Sequence, residues 1–133
     1  MGDKISDIKV KDVMTRSLAS AGPSTTLYEI AKMMEQGGFG AIIIEEDNLP
    51  RAIITDRDFA IKVAVNRFPL ETPVHKIASH PLQTINSNES ILAAASLMSR
   101  KKIRKLVVVE DGKDVGIITS TDLVNQLAKM ENI

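Results

Sequence analysis

Two threonines and two aspartates stand out for their spacing: Thr55 and Asp58 in "IITDRD", and Thr119 and Asp122 in "IITSTD". In each case Ile-Ile-Thr reads as a strand end and the residues after it as a helix start. The first turn of a helix leaves backbone N–H groups without intrahelical acceptors and carries the positive end of the helix dipole. That makes an anion site suited to phosphate, to which a Thr hydroxyl adds a donor. An aspartate one turn into the helix repels phosphate but can accept two hydrogen bonds from a ribose diol. Together the pair suggests a ribose-phosphate grip. The same spacing is also a capping box, which stabilises a helix start with no ligand at all. The two roles are compatible, because an empty site would use the same residues as caps.

The motif occurs twice because the chain is a tandem repeat. An offset of 64 aligns Val10 to Ala64 with Val74 to Ala128 without a gap. Leu18/Leu82, Ala31/Ala95, Met34/Met98, Glu46/Glu110, Asp47/Asp111 and Ile53/Ile117 are identical pairs, and the apolar positions keep step throughout. A duplicated supersecondary unit produces this pattern. The spacing divides the chain into an extension 1–9, a first unit 10–66, a linker 67–73 with two prolines in its neighbourhood, and a second unit 74–130.

Each unit must position its motif with the same elements. A short extended piece comes first, Leu18 to Ala21 or Leu82 to Ile85. An amphipathic helix follows. Thr26 and Glu29 have capping-box spacing, Leu27, Ile30, Ala31 and Met34 form an apolar stripe, and Gly37-Gly38 ends it. Ile91, Ala94, Ala95 and Met98 repeat the stripe. A hairpin comes next: Ala41 to Glu45 with Ala52 to Thr55, and Lys105 to Val109 with Val115 to Thr119, across turn residues Asp-Asn and Asp-Gly. The strands are continuously apolar, which predicts cover on both faces. A second helix closes each unit, with Phe59 and Val63, or Leu123, Leu127 and Met130, facing inward. The expected fold is α+β, of the α/β sandwich type: two β-α-β-β-α units packed about a pseudo-two-fold axis. A unit of about sixty residues is marginal alone, so the two should share an interface.

The bulk numbers exclude several classes. With 17 basic and 17 acidic residues the formal net charge is zero, which gives no nucleic-acid footprint. The chain has no cysteine, so disulfides and Cys-based zinc or nucleophile chemistry are absent. The apolar runs are a few residues long, too short to span a bilayer, and the start lacks the pattern of a signal peptide. A soluble cytoplasmic protein is the expectation. The basic run "RKKIRK" reads first as cations at a helix C-terminus; Arg104 and Lys105 enter the strand, where a phosphate role is equally reasonable. His75 and His80, without Cys or a carboxylate pair beside them, make a poor metal site and read as surface or hinge residues. Met33, Met34, Met98 and Met130 read as core or interface filler. No Ser–His–Asp order, Walker lysine or HExxH is present, so no catalytic residue and no metal ligand is assigned.

With these residues in place, the chain resembles the tandem cystathionine-β-synthase (CBS) domain pair, or Bateman module. "VKDVMTRSLAS" resembles the family's opening, "IRKLVVVEDGKDVGIITSTDL" its most recognisable stretch, and the likeness runs from about Val10 to Ala128. The resemblance implies a non-enzymatic regulatory module that requires no cofactor and binds an adenosine-based ligand: AMP, ADP or ATP, with S-adenosylmethionine and NAD in the same set. It implies a disc-like homodimer and an effector protein that the sequence does not name. It also implies clefts between the units, each combining the Thr-x-x-Asp of one with the first strand of the other. Thr55, Arg57 and Asp58 would work with Pro81, Leu82 and Gln83; Thr119, Thr121 and Asp122 with Ser17, Leu18 and Ala19. Gly40, Ala41, Arg104 and Lys105 would line the clefts. One departure is Ala52, which stands where the second copy has the family's usual glycine, Gly116. Arg57 against Thr121 and Gly40 against Arg104 predict two unequal sites. The rival expectation is a dimerisation scaffold whose motifs only cap helices; an enzyme or a nucleic-acid-binding regulator comes third.

Overall fold

The computed structural model describes residues 5–80 and 82–130. They form two compact bodies, Leu18–Leu82 and 5–17 with 83–130. Each body carries one three-stranded mixed sheet. In the first, β1 (Ser20–Ala21), α1 (Leu27–Gly37), β2 (Ala41–Glu46) and β3 (Leu49–Thr55) lead into a short helix α2 (Asp56–Asp58). It continues through a wide π-type segment, Phe59–Ala64. In the second, β4 (Thr84–Asn86), α3 (Ile91–Lys101), β5 (Lys105–Glu110), β6 (Lys113–Thr119) and α4 (Ser120–Lys129) follow the same order. β1 runs parallel to β2, which is antiparallel to β3; β4, β5 and β6 repeat that arrangement. The architecture is α+β, as the sequence implies.

Local chemistry explains the elements. Thr26 and Ser90 cap α1 and α3, their side chains accepting from the N–H groups of Glu29 and Ala93. Gly38 ends α1 at φ 69°, and Lys102 takes the same left-handed position after α3. The hairpin loops are shorter than expected. Only Asp47-Asn48 and Asp111-Gly112 lie outside the strands, with φ of 55°, 64°, 51° and 79°. Two successive positive φ values give the primed turn whose twist matches the flanking strands. Each hairpin then carries one register shift, between Ile44 and Glu45 or between Val108 and Val109. Gly112→Ala should lower stability by about 1 kcal/mol in urea denaturation, because a Cβ disfavours that φ.

The compact bodies do not follow the sequence repeat. Val10 and Met14, which open the first repeat, are buried among Ile85, Ile91, Leu106 and Ile118 of the second sheet and helix. Val74, Ile77 and Ala78, which open the second repeat, are buried with Leu27, Ile30, Ile42 and Ile54. Paired backbone bonds enforce this exchange. Val10 N–H donates to Glu89 O at 2.8 Å and Lys11 N–H to Ser87 O at 3.0 Å; Val74 N–H donates to Thr25 O at 2.8 Å and His75 N–H to Pro23 O at 3.1 Å. Each incoming segment also bridges the outer edge of a sheet, Thr15 against Ile117 and Ser79 against Ile53. The stretch read as a linker belongs to the first body too, since Leu27 and Tyr28 donate to the carbonyls of Thr72 and Leu70. A sequence period locates repeated elements but says nothing of which sheet edge a flanking segment covers.

Side-chain placement corrects two further expectations. Leu127, expected inward, is 41% exposed, and Val124 of the same helix is exposed too. Ala95 is exposed although Ile91, Ala94 and Met98 of the same stripe are buried. The central strands do have cover on both faces: Ala41 to Ile44 and Leu106 to Val108 are all buried. Among the described residues, no helix is long and apolar enough to cross a membrane.

Candidate functional site

In each body the strand topology gathers the sequence-predicted residues at one end of the sheet. Ala41 opens β2 opposite Thr55, the last residue of β3. Because β1 runs parallel to β2, Leu18 and Ala19 lie at the same end, and the Ala19 carbonyl accepts from Ile43 N–H at 2.9 Å. Gly40 joins them, its carbonyl accepting from Asp56 N–H at 3.0 Å. The second body repeats this: Lys105 pairs with Thr119, the Arg104 carbonyl accepts from Ser120 N–H at 2.9 Å, and the Gln83 carbonyl accepts from Val107 N–H at 3.2 Å. Ser17 and Gln83 fall in the second body, and Leu82 in the first. Pro81 lies outside the described residues.

The two Thr-x-x-Asp turns share a capping geometry and differ in what remains free. Thr55 N–H donates to Asp58 Oδ2 at 2.8 Å and Asp58 N–H to Thr55 Oγ1 at 3.3 Å. The corresponding distances at Thr119 and Asp122 are 2.8 and 3.1 Å. In the first body the other groups are also engaged. Arg57 N–H donates to Asp56 Oδ1 at 2.9 Å, and the Lys62 ammonium lies 3.3 Å from Asp58 Oδ1. The expected free N–H donors at this helix start are therefore absent from the first body: Thr55, Asp56, Arg57 and Asp58 each have an acceptor. In the second body Ser120 replaces Asp56 and Gln126 replaces Lys62. Among the described residues, the Thr121 N–H and Asp122 Oδ1 there make no hydrogen bond or ion pair. Arg57, Arg104 and Thr121 are exposed, while Lys105 is half-buried.

Lys62 was not among the residues singled out by sequence. It binds Asp58 and also donates to Ser79 Oγ at 3.0 Å and to Ile77 O at 3.3 Å, fastening the incoming 74–80 segment to the motif. Its i,i+4 spacing from Asp58 is the signal that could have found it. Among the described residues, no group of three or more His, Asp or Glu side chains is placed to hold a metal ion.

The sheet-and-turn unit thus occurs twice along the chain. The CBS domain model matches residues 10–64 and again 74–129. The chain belongs to the CBS domain family and carries a tandem pair. It is similar to the CBS domain-containing protein YhcV of Bacillus subtilis, 37% identical over 90% of this chain and 86% of that protein. Of two further relatives it spans only 61% and 30%. Among solved structures it is similar to the CBS domain pair of protein MJ0100 in complex with 5′-methylthioadenosine and S-adenosyl-L-methionine. That match has a TM-score of 0.81 and 25% identity, covering 91% of this chain and 96% of that one. It is also similar to the CBS domain protein PAE2072 of Pyrobaculum aerophilum complexed with AMP, with a TM-score of 0.79 and 26% identity over 92% and 99% of the two chains.

Proposed function

We propose that this chain is a non-enzymatic cytoplasmic sensor of an adenosine-based ligand, AMP, ADP or ATP, that signals to an effector protein through a homodimer. The observation that carries the reading is the open second turn. Among the described residues, Asp122 Oδ1 and the Thr121 N–H are unengaged at the start of a ten-residue helix, beside the strand start at Arg104 and Lys105. Asp122 would accept the ribose hydroxyls, the Thr121 N–H and hydroxyl would meet phosphate, and Arg104 would add charge. The adenosyl ligands held by PAE2072 and by the MJ0100 pair support the same ligand class. The first body, with its donors already engaged, is the weaker site. The exposed apolar side chains of the closing helices, Ile61, Val65, Val124 and Leu127, support burial in a dimer.

A thermal-shift panel of AMP, ADP, ATP, S-adenosylmethionine and NAD tests this reading. A ligand at a hundredfold excess over its dissociation constant stabilises by roughly 2.7 kcal/mol, a melting rise on the order of 8 °C for a chain of this size. If none of the five raises the melting point of ligand-free protein, the sensor reading fails. The scaffold reading, which the fully engaged first turn favours, then takes its place.

A further inference from the structure

The first body holds a cavity of about 480 Å³ at the hairpin end of its sheet. It lies away from the Thr-x-x-Asp turn: Arg51 on its wall is four residues before Thr55 along β3, roughly 13 Å for an extended strand. Its floor is the cross-strand pair Ile44 and Ala52, both buried. Its polar wall carries Arg51, His75 and His80, with Glu46 as the one carboxylate. His75 is held in place by its backbone bond to Pro23, and among the described residues none of the Arg51, His75 and His80 side chains makes a hydrogen bond or ion pair.

The arrangement belongs to this body and not to the repeat. At the 64-residue offset, Val115 stands at the place of Arg51, Gly116 at Ala52, Lys11 at His75 and Arg16 at His80. The cavity therefore gathers an arginine fork and two imidazoles at positions where the second copy has an aliphatic residue and two flexible cations. An arginine fork matches the paired oxygens of phosphate, and imidazole N–H groups donate to the remaining oxygens. The aliphatic floor gives a short carbon chain a place to rest. We propose that this cavity is a second binding site, separate from the nucleotide turn, for a small phosphate monoester gripped by Arg51, His75 and His80.

The chain contains two histidines and both line the cavity, so their imidazole protons report on it without labelling. The full chain is titrated with propyl phosphate, and separately with inorganic phosphate, at fixed pH and ionic strength. Both imidazoles should shift along one saturable curve. Arg51→Gln, a change at an exposed side chain, should weaken binding at least tenfold with both signals otherwise intact. His80→Gln, which leaves His75 as reporter, should weaken it as well. Non-saturating shifts, movement of a single imidazole, or an Arg51→Gln curve that overlays the wild type would overturn the proposal. Tighter binding of propyl phosphate than of inorganic phosphate would support a role for the Ile44–Ala52 floor, and equal binding would sink that part of it.

Discussion

Replacing Asp122 by alanine is expected to lower affinity for the adenosine ligand at least tenfold while reducing stability by only about 1 kcal/mol. The stability loss is that of a helix cap, since Thr119 N–H loses its 2.8 Å acceptor and nothing else described depends on that carboxylate. The affinity loss is larger because hydrogen bonds from hydroxyls to a charged group are each worth about 1.5–3 kcal/mol. Asp58→Ala should show the reverse balance. Its carboxylate serves Thr55 and pairs with Lys62, which in turn holds Ser79 and Ile77, so the structural cost exceeds that at Asp122 and the ligand cost is smaller. Calorimetric titration with AMP, beside urea denaturation of the same proteins, separates the two. Equal affinity losses at both aspartates would defeat the proposed asymmetry. Stability losses with no change in affinity at either would establish the scaffold.

The contrast between those aspartates also marks what the sequence made legible. The repeat, the Thr-x-x-Asp turns and the hairpins follow from spacing, because period and turn chemistry act over a few residues. The meaning of Asp56-Arg57 against Ser120-Thr121 was only half visible. Arg57 suggested a phosphate group in the first copy. The structure adds that Asp56 turns its carboxylate onto the Arg57 N–H, closing a donor that Ser120 leaves open at Thr121. Which donor a short side chain selects depends on local geometry that residue type does not fix. The exchange of opening segments was hidden for a different reason. Val10 and Val74 look alike in the alignment, and either sheet offers an apolar edge; their partners are set by tertiary packing. His75 and His80 read as surface residues, and both are exposed; that Glu46 and Arg51 line one cavity with them was hidden because those residues are distant in sequence.

The same exchange explains why the first copy lacks the family glycine, and it gives the prediction with the largest expected effect on stability. A Cβ added at Gly116 would lie 2.6 Å from Met14 Sδ and 2.9 Å from the Thr15 carbonyl. Gly116→Ala should therefore cost about 1–3 kcal/mol as overpacking. Met14→Ala empties a buried site beside it and should cost about 2–4 kcal/mol. The double variant should be less damaging than the sum, with a coupling of about 1–2 kcal/mol, because the first body already uses that pair. At the equivalent positions it has Ala52 and Ala78, both buried. Urea unfolding of the two single variants and the double closes the cycle, and strict additivity would show that glycine and methionine are not matched. The reverse exchange, Ala52→Gly with Ala78→Met, carries the second body's solution into the first. Since Ala52 forms part of the cavity floor beside Arg51, that variant should also change the phosphate titration, joining the packing of one residue pair to the presence of a site.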